Sequence, residues 1–112
     1  MTVQEMAEAL QLTVFSGDEE LHREVRGAYV SDLLSDVAGH AEVGSVWITL
    51  HTHLTVVAVA ALRKLSAVIV VNGYEPNAEV LEASRREHIP ILSTSQSTFE
   101  VAGRLYTLLQ QK

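Results

Sequence analysis

The sequence predicts an α/β fold: a mostly parallel sheet built from βα units, with helices packed on it. Three observations carry that expectation. Ala67-Val68-Ile69-Val70-Val71 is an unbroken, largely β-branched run, the pattern of a strand buried on both faces. Val46 to Leu50 has the same character, and both runs are followed by a short polar turn and a helix-length segment. The last such segment places Val101, Ala102, Leu105, Leu108 and Leu109 on one stripe of 3.6-residue period.

Taken in order, Thr2-Val3-Gln4-Glu5 has capping-box spacing and opens a short amphipathic helix through Met6, Ala9 and Leu10. Leu12 to Phe15 reads as a first strand closed by Ser16-Gly17-Asp18, and residues 18 to 24 are charged and expected to be exposed. Val25 to Val30 reads as a second strand in which Gly27 marks a bulge or close approach. Ser31-Asp32 is expected to cap the next helix, with Leu33, Leu34 and Val37 at helical spacing. The helix of about residues 54 to 64 is apolar on every side, so part of it is expected to meet another subunit. Asn77 is expected to cap the helix that holds Glu79 and Glu82 early and Arg85, Arg86 and His88 late, in keeping with the helix dipole. Pro90 ends that helix and opens the last strand, and Ser97-x-x-Glu100 is a second capping box.

The 112 residues are expected to form one domain, and 47% hydrophobic with 20% charged residues is the composition of a folded chain. There is no cysteine, which removes disulfides, thiolate nucleophiles and thiolate metal sites together. A net charge of −6 argues against nucleic acid or an anionic membrane surface as the main partner. No apolar run approaches the roughly 20 residues needed to span a bilayer. With Glu5 and Glu8 near the start and no basic leader, the chain is expected to be cytoplasmic.

In a parallel α/β sheet the strand-to-helix turns lie along one edge, where ligands bind. That rule gathers Ser31-Asp32, His51-Thr52-His53, Asn72-Gly73-Tyr74 and Ser93 to Thr98. The expected ligand-binding residues are Asp32, His51, His53, Asn72, Gly73, Ser93, Thr94 and Ser97. Asn72, Thr94 and Ser97 would donate to ligand oxygens, Gly73 would let backbone approach closely, and the histidines would set orientation. Pooled hydroxyls, an amide, imidazoles and helix N-termini suit a small anionic ligand. The bland alternative is that each turn only caps its own helix. His51-x-His53 with Asp32 also admits a metal reading, weakly, because two-residue histidine spacing is common by chance. No cofactor is expected. Catalysis has less support: there is no Gly-x-Ser-x-Gly elbow, no cysteine and no Gly-x-x-x-x-Gly-Lys loop.

The run from Val25 to Val37, the Trp47-Ile48-Thr49-x-His51-x-His53 turn with its Ala-Val-Ala helix, Ile69-Val70-Val71-Asn72-Gly73-Tyr74-x-Pro76, Ile89 to Thr94 and Ser97-Thr98-Phe99-Glu100 together resemble the DRTGG domain family over about residues 10 to 110. The literal Asp-Arg-Thr-Gly-Gly string is absent, and its nearest counterpart, Val71-Asn72-Gly73-Tyr74, keeps one glycine. The resemblance implies a fold like the N-terminal domain of HPr kinase/phosphorylase. It implies a regulatory or ligand-sensing module that dimerises and has no established catalytic activity. Family members occur beside CBS domains, in some phosphotransacetylases, and as short stand-alone proteins often encoded near iron-only hydrogenase and serine-kinase-like genes. The expected function is therefore a non-enzymatic module that binds a nucleotide-like or phosphorylated ligand as a homodimer. The alternative is an accessory subunit that docks on a partner protein through the apolar helix 54–64.

Overall fold

In the computed structural model, which describes residues 1–111, five strands form one sheet: β1 (Thr13–Ser16), β2 (Gly27–Val30), β3 (Ser45–Thr49), β4 (Ala67–Val70) and β5 (Ile91–Ser93). Their spatial order is β1-β5-β4-β3-β2. The strands β2 to β5 are parallel, and β1 runs antiparallel against β5 with an irregular register between Val14 and Ser16. Five helices accompany them: α1 (Val3–Leu10), α2 (Leu34–His40), α3 (Thr55–Leu62), α4 (Ala78–Glu87) and α5 (Thr98–Gln110). A single 3₁₀ turn, Asp18–Glu20, follows β1 in the charged segment.

From β2 to β5 the chain steps across the sheet in one direction, and right-handed crossovers then place every intervening helix on the same face. The two cores reflect that layout. Trp47, Val68, Val70 and Ile91 pack with Val37 of α2, Val56, Val57 and Ala60 of α3, and Val80 and Ala83 of α4. The alternate strand positions Val46, Ile48, Ala67, Ile69 and Leu92 pack on the other face with Val3, Met6 and Leu10 of α1 and Val101 and Leu105 of α5. Because both faces are covered, β3 and β4 are buried at every position, which is why their sequences run apolar instead of alternating.

The helix ends follow the sequence closely at three places. Both capping boxes form, Thr2 with Glu5 and Ser97 with Glu100, and the Asn77 side chain accepts from Val80 N–H at 3.0 Å. Two expectations need correction. The second strand is shorter than Val25–Val30, and Ser31-Asp32 does not cap α2, whose N-cap is Leu33 with no side-chain bond. The Ser31 hydroxyl instead accepts from Leu33 N–H, and the Asp32 side chain turns away toward β3. The apolar helix α3 buries Val56, Val57 and Ala60, while Leu54 before it and Ala58 and Leu62 on it stay exposed.

Candidate functional site

The turns after β2, β3, β4 and β5 share one edge of the sheet, as parallel strands require. The turn after β2 is fastened to the end of β3 by side chains. Asp32 Oδ1 accepts from the Thr49 hydroxyl at 2.8 Å and from Leu50 N–H at 2.7 Å. His51 Nε2 lies at hydrogen-bonding distance from the Asp32 carbonyl oxygen. A carbonyl only accepts, so this contact assigns the hydrogen to Nε2. The Trp47 indole N–H donates to the Ser31 carbonyl at 2.8 Å and closes the same strap from the core side.

His53 behaves differently. β3 ends at Thr49, so both histidines lie beyond the strand and the strand spacing that would align their rings does not apply to them. His53 is exposed, and its Nδ1 accepts from Thr55 N–H at 3.2 Å while lying at the same distance from the Thr55 hydroxyl. It therefore closes the start of α3, a role that the usual capping residues Ser, Thr, Asp and Asn play elsewhere. Among the described residues, no group of three His, Asp or Glu side chains is arranged to hold a metal ion.

The turns after β4 and β5 are joined by main chain. Asn72 N–H donates to the Gln96 carbonyl and Gly73 N–H to the Thr94 carbonyl, each at 2.9 Å. Both donors sit in left-handed conformations, with φ of 62° at Asn72 and 75° at Gly73. That explains an amide residue followed by glycine at this point. A Cβ on Gly73 would meet nothing within 4 Å, so its backbone is open to close approach. Ser93 and Thr94 are buried. The Thr94 hydroxyl accepts from Gln96 N–H and from the Gln96 amide nitrogen. The Ser97 hydroxyl is occupied by the α5 capping box.

These two turns also flank a change of side. The chain leaves β4 for α4 on one face and leaves β5 for α5 on the other, the arrangement at which open α/β sheets bind ligands. Gln96 lies in the expected turn but outside the eight expected ligand-binding residues, yet it ties this point together. Its Nε2 reaches the Leu10 carbonyl at 2.9 Å, and its Oε1 accepts from Arg104. Arg104 also donates to the Ala9 carbonyl at 3.1 Å, so the end of α1 is pinned to the same turn. A polar residue inside a hydroxyl-rich turn, with an arginine two helical turns on, is the only local signal for it.

The four helix N-termini on this edge differ in charge. The first turns of α2, α4 and α5 carry Asp36, Glu79 and Glu100, whereas that of α3 carries no acid. At α2, the Tyr29 hydroxyl donates to Asp36 at 2.9 Å, holding that carboxyl below the usual carboxylate range and pushing the phenol up. A recess of about 1000 Å³ lies between the free edge of β2 and the end of α5, lined by Arg26, Ala28, Val30 and Tyr106 among others.

The fold is similar to that of a Clostridium perfringens protein, the CBS and DRTGG domains of the regulatory region of a pyrophosphatase, solved in complex with its activator diadenosine tetraphosphate. The TM-score is 0.75 at 16% identity, over 93% of this chain and 45% of that one. This chain thus spans less than half of that structure, and at such identity the likeness is one of fold. Among the described residues no helix is long and apolar enough to cross a membrane. The family model of the DRTGG domain matches residues 5–108, and this chain belongs to the DRTGG domain family.

Proposed function

We propose that this protein is a non-enzymatic regulatory module that binds a small anionic, nucleotide-like ligand along the C-terminal edge of its sheet and works as a homodimer in the cytoplasm. The observation that carries the reading is the contrast among the four helix N-termini. Of the four, only α3 has no acid in its first turn, and it begins beside His51, Thr52 and His53, whose Nδ1 accepts from Thr55 N–H. A helix N-terminus favours a negative group, and an acid on the other three already fills that role. The fold likeness to a regulatory region that binds a dinucleotide polyphosphate adds support for the ligand class.

In this reading His53 and Asn72, both exposed, contact the ligand, and Gly73 offers its open backbone. Ser93, Thr94 and Ser97 complete the edge, while Asp32 and His51 hold its shape. Differential scanning fluorimetry against adenine nucleotides, diadenosine tetraphosphate and inorganic phosphate tests it. A ligand at 100 times its Kd adds about 2.7 kcal/mol of stability. The combined variant His53→Ala/Asn72→Ala is expected to keep its fold and lose that shift. An undiminished shift in this variant would remove the site assignment.

A second reading rests on the solvent side of α3, where Leu54, Ala58 and Leu62 are exposed and Leu62 is 71% accessible. An accessory subunit would use that face to dock on a partner protein. A charge at Ala58 or Leu62 would then abolish capture of the partner, while alanine at His51 and His53 would be tolerated.

A further inference from the structure

Helix α5 carries two stripes. Val101 and Leu105 face the core, as the sequence predicts, but Phe99, Gly103 and Tyr106 form a second stripe on the opposite side. At 100° per residue these three fall within an arc of about 60°. Phe99 is 87% exposed and Tyr106 67%. Between them sits Gly103, in the middle of a 13-residue helix. A Cβ there would meet nothing within 4 Å, so nothing inside this chain requires glycine at a position where it weakens the helix.

We infer that this stripe is where two copies of the chain pack, α5 against α5 and antiparallel. The inference deepens the homodimer of the proposed function by naming its contact surface. Self-complementarity carries it, because a two-fold contact must match one surface to itself. Phe99 and Tyr106 lie on either side of a point next to Gly103, so an antiparallel second helix brings Phe99 of each copy against Tyr106 of the other. The same register leaves Glu100 of one copy one residue out of step with Arg104 of the other, a small offset for two long side chains, matching negative to positive twice. Arg104 is held in place by Gln96 and the Ala9 carbonyl, which together use two of its five donors. The missing side chain at Gly103 lets the two backbones approach between the aromatic pairs. A shallow, mainly apolar hollow beside Gly103, lined by Ala9, Leu10 and Thr107, extends the contact toward α1. The outward face of α3 offers exposed aliphatic side chains but no acid or base within the helix to fix a register.

Sedimentation velocity across a concentration series tests the inference on the full chain and three variants: Phe99→Glu, Gly103→Leu and Leu62→Glu. The exposed side chain of Phe99 and the open space at Gly103 mean that both α5 variants fold, which circular dichroism verifies. The wild type is expected to sediment as a dimer. Phe99→Glu and Gly103→Leu each weaken it by about 100-fold or more, the scale of losing a central interface residue, and Leu62→Glu leaves it intact. A dimer that survives both α5 variants, or one broken by Leu62→Glu instead, overturns the assignment of the surface. A wild type that remains monomeric removes the dimer altogether, while the ligand part of the proposed function still stands or falls on its own thermal shift.

Discussion

The two halves of the sheet's C-terminal edge are held together by different chemistry. Between β2 and β3 one main-chain bond, Ser31 N–H to the Ile48 carbonyl, is joined by side chains that do most of the fastening: the Asp32 carboxylate, the Thr49 hydroxyl and the His51 ring. Between β4 and β5 it is done by main-chain bonds from Asn72 and Gly73, with Thr94 and Gln96 behind them. A side-chain strap depends on residue identity and leaves charged and ring groups at the surface for a ligand to engage or displace. A main-chain strap depends on the backbone reaching the right conformation. The first half therefore tolerates substitution poorly at a few named positions, whereas the second is sensitive chiefly to left-handed geometry and caps.

The largest expected effect is at Asp32. Asp32→Ala leaves Leu50 N–H and the buried Thr49 hydroxyl without their acceptor, and losing bonds to a charged group costs about 2 to 3 kcal/mol. Urea unfolding is expected to show that loss at neutral pH; a loss no larger than at an ordinary surface position would break the distinction between the halves. Gly73→Ala tests the other half and is expected to cost about 1 kcal/mol, because its φ of 75° disfavours a side chain even though there is room for one. Ser97→Ala removes the α5 cap and is also expected to cost about 1 kcal/mol in the same assay.

The smallest effect concerns pH and belongs to the side-chain half. Asp36 has a lowered folded pKa because the Tyr29 hydroxyl donates to it. Its contribution is present above the unfolded carboxyl value and fades as pH falls through the folded one. Tyr29 has a raised folded pKa for the same reason, so its contribution is present below the unfolded phenol value and fades as pH rises through the folded one. Tyr29→Phe is expected to flatten both limbs of a melting temperature against pH curve. Identical curves for variant and wild type would show that the Tyr29–Asp36 bond adds no measurable stability.

These differences mark what the sequence can and cannot convey. The β3 and β4 runs are legible because burial on both faces forces continuous apolar residues, and the caps at Thr2, Asn77 and Ser97 are legible because each acts within three residues. Asn72-Gly73 announces a left-handed turn by composition alone. The Asp32 strap is not legible, since its partners lie 17 and 18 residues away and a Ser-Asp pair before a helix looks locally like a cap. The same holds for Gln96 and Arg104, which reach back to α1 across most of the chain. His53 closes a helix with a residue type that cap preferences do not favour. The stripe of Phe99, Gly103 and Tyr106 is present in the sequence but is overshadowed by the stronger core stripe beside it.

The most direct test of the ligand site is an amide-resolved NMR titration of the protein with an adenine nucleotide, alongside the same titration with inorganic phosphate. The account predicts that the largest shifts fall on residues 51–57 at the start of α3 and on Asn72 and Gly73, with Gly44 and Ser66 at the opposite edge of the sheet unmoved. Shifts centred on the recess between β2 and the end of α5, or on the first turns of α2 and α4, would contradict it.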